Sequence, residues 1–166
     1  MNKESRIIIF DWILGALFLI AIIYMYEVRI VLNNNNQNQA QSSIQQSSVQ
    51  PLSLLFARTD TEQELGLGQR ASLPIDEGML FIFDTPSEYA FWMKDMSFPI
   101  DMIWLDAGFH IVYIAENVSP DTYPQTFSPS APSLYVLETN AGYAMDNQLT
   151  VGEALDFVKA QVEQSP

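Results

Sequence analysis

Three patterns of apolar and polar residues follow one another along this chain. Residues Ile7 to Tyr26 are apolar or aromatic apart from Asp11, and no charge interrupts Trp12 to Tyr26. About twenty such residues at helical rise cross the ~30 Å hydrocarbon core of a bilayer. Trp12 stands near one end, and Tyr24 and Tyr26 stand at the other, as interfacial aromatic belts prefer. The pattern predicts a transmembrane anchor over residues 7–30. Lys3 and Arg6 precede it and only Arg29, offset by Glu27, closely follows, so the positive-inside bias puts residues 1–6 in the cytoplasm and the rest of the chain outside. A cleaved signal peptide would have a shorter apolar region ending in small residues, and Tyr24-Met25-Tyr26-Glu27-Val28-Arg29 is a poor match to that. The expected location is the cell membrane, single-pass.

From Asn33 to Gln50 the residues are mostly Asn, Gln and Ser, with Ile44 and Val49 as the sizeable apolar side chains. Such a stretch buries too little surface to offset its ordering entropy. Residues 31–50 therefore read as a flexible tether, which as a random coil would span roughly 25 Å.

After Pro51 the apolar residues come in short runs. Leu52 to Arg58 suits a strand. Thr59 and Glu62 have capping-box spacing and open a helix through Leu67, with Gly66 and Gly68 to end it. Gly78 to Phe83, Ala90 to Met93, Met102 to Leu105, Ile111 to Ala115 and Leu134 to Leu137 are rich in aromatic or β-branched residues and predict further strands. Asp106-Ala107-Gly108 is a hairpin signal in which Gly can take positive φ. Pro120, Pro124, Pro129 and Pro132 make Asn117 to Ser133 an extended loop. Asn140 to Met145 fits one helical turn, and Val151 to Val162 fits either a last strand or a C-terminal helix. The expected fold is mainly β (α+β): a compact, mostly antiparallel sheet or barrel-like domain over residues 51–166, with a few short helices and one transmembrane helix before it.

Composition narrows the function. The chain has 166 residues, 48% hydrophobic and 12% aromatic, enough for one domain with a real core. It has no cysteine, which excludes disulfides, thiolate metal sites, a cysteine nucleophile and a lipoprotein anchor. The net charge is −13. Glu4, Asp11 and Glu27 balance Lys3, Arg6 and Arg29, so after residue 50 there are 17 of the 20 acids and 4 of the 7 bases. Such a surface repels phosphate backbones, and no nucleic-acid partner is expected.

The order Ala57-Arg58, Gly66-Leu67, Gly78-Met79-Leu80-Phe81, Phe91-Trp92-Met93-Lys94, Pro99-Ile100-Asp101, Val136-Leu137-Glu138 and Ala141-Gly142 resembles the domain-of-unknown-function family 192, also called uncharacterised protein family 0127. The resemblance runs from about residue 51 to 158. It implies a compact, mostly β domain, often exported behind a signal or anchor, and it carries over no catalytic residues. Gly68 stands where a Met usually follows the Gly-Leu pair, and Asp95-Met96 replace a usual Asn-Thr.

The segment Phe91 to Asp106 holds the candidate chemistry. It packs two Trp, two Phe and three Met around one lysine and three aspartates, and charges among aromatics must be paired or exposed. Lys94, Asp95 and Asp101 form a polar cluster, and Glu138 lies in a strand that could pair nearby. A lysine among aromatics can bind an anion, and two carboxylates can serve as acid and base. The plainer reading makes Lys94 and Asp101 an ion pair fixing the loop at Pro99. Strand alternation sets Trp92 beside Lys94 and turns Phe91 and Met93 the other way. Trp92, Trp104, Phe91 and Tyr89 can stack on sugar faces, though core packing explains most such rings. Arg58, Glu64 and Arg70 read as structural ion pairs tying the helix to the sheet, with Glu62 and Asp76 in reach. His110, the only histidine, reads as a hairpin residue. No metal site, nucleophile elbow, phosphate loop or dinucleotide fingerprint appears, and no cofactor is expected.

The function expected from sequence is a ligand- or partner-binding module of the cell envelope. Trp92, Lys94, Asp101 and Glu138 would meet a carbohydrate, another small polar ligand or an envelope protein. The alternatives are an envelope hydrolase using Asp101 and Glu138 as a carboxylate pair, and a structural partner of another membrane protein.

Overall fold

The computed structural model describes residues 24–32 and 49–165. The chain divides into two units, Met1–Ser48 and Val49–Pro166. In the first unit residues 24–32 are helical and exposed. Among the described residues no helix is long and apolar enough to cross a membrane. Most of the expected anchor and tether lies outside the described residues.

The second unit is built on a five-stranded sheet in the order β1-β2-β7-β4-β5. Its strands are β1 (Ser53–Ala57), β2 (Glu77–Ser87), β4 (Ile100–Leu105), β5 (Ile111–Val118) and β7 (Ser133–Asn140). β1 and β2 run parallel and the other pairings are antiparallel. The sheet is open, with β1 and β5 at its edges, and does not close into the barrel-like form allowed above. The β1 edge is covered: Gln161 accepts from the Leu54 amide at 3.1 Å and donates to the Leu52 carbonyl at 2.7 Å, filling positions a further strand would otherwise take. A short ribbon of β3 (Phe91–Trp92) and β6 (Thr126–Phe127) lies apart from the main sheet. β6 falls inside the proline-rich stretch read as loop, because Gln125 to Ser128 is the gap between Pro124 and Pro129 and leaves two residues free to pair.

The helices are brief. α1 (Asp60–Leu65) follows Thr59 as its N-cap, and both halves of the expected capping box are formed. Glu62 Oε2 accepts from the amides of Thr59 and Arg58 at 2.9 Å each. Those two bonds, chiefly the one from Thr59, hold the Glu62 carboxyl below its usual range. α2 (Tyr143–Asp146) is the expected single turn, and α3 (Asp156–Gln164) resolves the C-terminal choice in favour of a helix. At the β4–β5 hairpin it is Phe109, not Gly108, that takes positive φ, at 64°. Gly108 is needed for a different reason: a Cβ there would lie 2.9 Å from the His110 ring, while the Gly108 amide donates to Asp106 Oδ1 at 2.7 Å.

Both faces of the sheet are buried. One face carries Leu54, Leu80, Ile103, Leu105 and Leu137 against Leu155 and Val158 of the α3 segment and Tyr143 and Ala144 of α2. The other carries Met79, Phe81, Met102, Trp104 and Val136 against Leu67, Met93 and the half-buried Phe91 and Phe127. Strands buried on two faces read as continuous apolar runs, which is why β4 is buried at all six positions.

One of those six is Asp101, fully buried. Its carboxylate accepts from the amides of Asn117 at 2.7 Å, Gly142 at 3.2 Å and Ala144 at 2.8 Å. α2 has no cap from its own Gly142 N-cap, so a side chain from β4 supplies it and joins β4, the end of β5 and α2. Asp101→Ala strands three donors and is expected to lower the unfolding free energy by roughly 3 kcal/mol or more. Asp101→Asn keeps part of the acceptor set and loses less. Denaturant midpoints check this, and parent-like midpoints for both variants would remove Asp101 from this role.

Candidate functional site

A cavity of about 260 Å³ opens on the second face of the sheet, between the end of α1 and β3. Its floor is made by β2 and β7, through Phe81, Phe83 and Glu138. One wall is the turn Leu65-Gly66-Leu67-Gly68, and the other is Tyr89 to Trp92 with Lys94 and Met96. Gln63 and Glu64 of α1 complete the rim.

The aromatic wall is braced from below. Phe91 meets Phe81 edge-on at 4.8 Å and Trp104 at 5.8 Å, and Phe83 stacks on Tyr89. The buried Trp104 indole donates to the Tyr89 carbonyl at 2.9 Å, which fixes the chain where it enters β3. Trp104 and Phe91 therefore belong to the packing, as the plainer reading of the aromatics had it. Trp92 is different. It is 49% exposed, stands 6.2 Å from the exposed Tyr123 ring, and has Lys94 Nζ 6.0 Å from its ring centroid. Trp92 ends β3 and Met93 is buried, while Lys94, in the turn that follows the strand, comes back beside the Trp92 ring.

The opposite wall depends on Gly66. Its backbone, at φ 51° and ψ −134°, is a conformation reached by little besides glycine. A Cβ on Gly66 would lie 3.0 Å from Phe81 Cζ and 3.6 Å from Glu138 Oε2, so the missing side chain is part of the cavity. The two walls are tied at the mouth by the Gln69 amide, which donates to the Asp95 carbonyl at 2.9 Å. Gln69 and Asp95 both hold left-handed backbone, at φ 63° and 58°, a region that Asp tolerates better than most residues.

Glu138 is the polar centre. It is 4% exposed, sits in β7 opposite Met79 of β2 and Met102 of β4, and lines the cavity. The Leu67 amide favours the charged form of its carboxyl, yet Oε2 has no protein partner among the described residues. Burial pushes its pKa up to about 8, and the Leu67 amide offsets only part of this. At neutral pH the group is mostly the neutral acid, able to donate one hydrogen bond or to give up its proton to a charge that enters.

The four expected ligand residues thus divide. Trp92, Lys94 and Glu138 share the cavity, and Asp101 lies under the other face. In the β4–β7 register Asp101 pairs with Thr139, and Glu138 pairs with Met102. Neighbouring positions of adjacent strands point to opposite sides, so the two carboxyls face away from each other and cannot act as an acid–base couple. The Lys94–Asp101 ion pair is absent for the same reason. The expected pairs of Arg58, Glu64 and Arg70 also fail to form: the one ion pair among the described residues joins His110 to Asp106 at 3.4 Å. Arg58 instead lies 5.0 Å from the Phe56 ring centroid and donates to the Ser165 hydroxyl, and Glu64 borders the cavity. Exposed ion pairs gain little in water, so nothing forces them. Gly66, Phe81, Phe83 and Met96 were not read as site residues. Gly66 carried a signal as the helix stop, and Phe81 and Phe83 are the i, i+2 aromatics of a strand that also predicted core.

Residues 39–157 match the family DUF192, described as "Uncharacterized ACR". No curated protein matches the chain. Solved structures that resemble it include the following two. A protein of unknown function from Novosphingobium aromaticivorans DSM 12444 is 33% identical with a TM-score of 0.58, covering 61% of this chain and 71% of that one. A protein described as a "putative transcription regulator" from Sinorhizobium meliloti 1021 is 32% identical with a TM-score of 0.58, covering 61% and 78%.

Glu138 makes stability depend on pH in a stated direction. Its folded pKa is raised, so between the ordinary carboxylate range and about 8 the folded state holds a proton the unfolded state has lost. Its contribution is fully favourable below the unfolded pKa and declines as pH rises through that window. Glu138→Gln removes the dependence and is expected to stabilise the fold at pH 7 by roughly 3 kcal/mol relative to the parent, with the gap closing near pH 4. Thermal melts of both proteins from pH 4 to 9 check this; parallel curves would show that Glu138 is ionised in the fold.

Proposed function

We propose that this chain, which belongs to the DUF192 family of uncharacterised proteins, is a binding module that takes a small polar ligand, a sugar or a molecule of similar size, in the cavity between α1 and β3. One observation carries the reading: Oε2 of the buried Glu138 has no protein partner among the described residues and borders a cavity whose glycine wall leaves room beside it. Buried polar atoms without partners are rare, and a few convergent polar groups among aromatics are the ordinary make-up of a small-molecule site. Trp92, half exposed at the rim, offers a ring face for stacking, with Lys94 beside it as a donor.

The proposal includes the setting. The apolar run Ile7 to Tyr26, with Lys3 and Arg6 before it, supports a membrane anchor over residues 7–30 and an extracytoplasmic domain from residue 51. The 17 acids against 4 bases after residue 50 argue against a nucleic-acid partner, whatever the description of one similar structure suggests for that protein.

Titration of the full-length chain with a panel of hexoses, amino sugars, small amines and small organic acids, followed by tryptophan fluorescence, tests the proposal. At least one compound is expected to give a saturable change, with affinity falling about tenfold in Trp92→Ala, the size of one aromatic stacking contact. No saturable response from any member of the panel, or a response untouched in both Trp92→Ala and Glu138→Gln, would sink it.

A further inference from the structure

Glu138 narrows the ligand further, on the reading of this cavity as a ligand site. We infer that the ligand carries an organic ammonium group, seated against the rings of Phe81, Phe91 and Trp92 with the Glu138 carboxylate as its counter-ion. A cation is drawn to the negative faces of aromatic rings, and most strongly where water is excluded. This cavity combines such rings with a carboxyl at its floor and a second carboxyl, Glu64, at its rim. Trp92 already attracts a cation from the chain itself, Lys94 Nζ at 6.0 Å from the ring centroid. Among the described residues Lys94 is the one positive group lining the cavity, and it is exposed, so solvent screens it more than it screens the buried Glu138. The surrounding field has the same sense, since acids outnumber bases 17 to 4 after residue 50.

The alternative is a neutral ligand that accepts a hydrogen bond from protonated Glu138. An anion is the least suited occupant, because Oε2 in either state stands beside it with Glu64 close by. The cationic reading has a consequence the neutral one lacks. Seating an ammonium beside Oε2 favours the carboxylate, so the proton Glu138 holds at neutral pH leaves to solvent as the ligand enters. The other charged or titratable groups around Glu138 are Glu64 of α1, Tyr89 ahead of β3 and Lys94 after it. β2 and β4 present Phe81, Phe83, Met79 and Met102, which do not titrate.

Calorimetric titration of the full-length chain in mild detergent with choline, and with its uncharged isostere 3,3-dimethylbutan-1-ol, tests the inference. Choline is expected to bind at least tenfold more tightly than the alcohol. Its affinity is expected to rise about tenfold per pH unit between pH 6 and 8 and then level, with a heat that differs between phosphate and Tris buffers because a proton is released. Glu138→Gln is expected to abolish both the charge preference and the pH dependence. Lys94→Met, at an exposed position that folding does not need, is expected to tighten choline binding by removing a like charge. Equal binding of choline and the alcohol, a choline isotherm that does not change with pH, or weaker binding in Lys94→Met would overturn the ammonium. A neutral sugar that binds through Trp92 and Glu138 while choline does not would overturn it too, and would leave the ligand pocket standing. Silence from choline and from every member of the wider panel would overturn the pocket itself.

Discussion

A sheet buried on both faces has no place to put a charge, and this domain holds one carboxyl on each side of it. Asp101 and Glu138 come from adjacent strands and adjacent register positions, one pointing into each core. Burying a carboxylate costs several kcal/mol unless donors meet it. On the first face the structure meets that demand fully: three backbone amides converge on Asp101, and with them the end of β5 and the whole of α2 are held in place. On the second face it does not, because one amide reaches Glu138 and one oxygen is left over. The rest of the site follows from that asymmetry.

The space beside Glu138 is held open by backbone rather than by loose packing. A helix ending in glycine with φ and ψ that few other residues reach keeps a Cβ out of contact with Phe81 and out of the volume over Oε2. The wall opposite is locked by Phe91 packed edge to face with Phe81 and with Trp104, and by the Trp104 indole bonded to the Tyr89 carbonyl. A backbone hydrogen bond from Gln69 to Asp95 joins the two walls through a pair of left-handed residues. A cavity framed this way is preformed, and a ligand that fits it loses little to ordering the protein.

The strands and the capping box were legible in the sequence because they rest on local rules. Thr59 and Glu62, three positions apart, satisfy each other's amides wherever the rest of the chain goes. Register is different. Whether Asp101 and Glu138 share a face depends on which residue of β7 sits opposite which residue of β4, a fact no single strand contains, so a pair that looked like acid and base ended on opposite sides of the sheet. The barrel-like option failed for a related reason. Closure depends on how the edges are covered, and the residue that covers β1 is Gln161, more than a hundred positions away. By contrast, Trp92 and Lys94 stand two positions apart and do end as neighbours, although the strand whose period was expected to pair them stops at Trp92 and Lys94 lies in the turn beyond. Gly66 lay between these cases: its role as a helix stop was local, and its role as a cavity wall required knowing that Phe81 would lie beneath it.

Glu138 itself poses the sharper question of why an acid stands there. A glutamine has nearly the same shape, can accept from the same Leu67 amide, and escapes the pH-dependent cost that burial places on a carboxyl. Leucine would remove the unpartnered oxygen altogether and suit the two methionines on either side. Packing therefore gives no reason for the acid, and the nearby Leu67 amide does not require it. What a carboxyl has that neither replacement has is a proton it can give up and a charge it can take on, in a place where water does not screen that charge. Only a partner outside the protein's own hydrogen-bonding set can use that property, and the side of Glu138 on which such a partner can stand is the side that Gly66 leaves open.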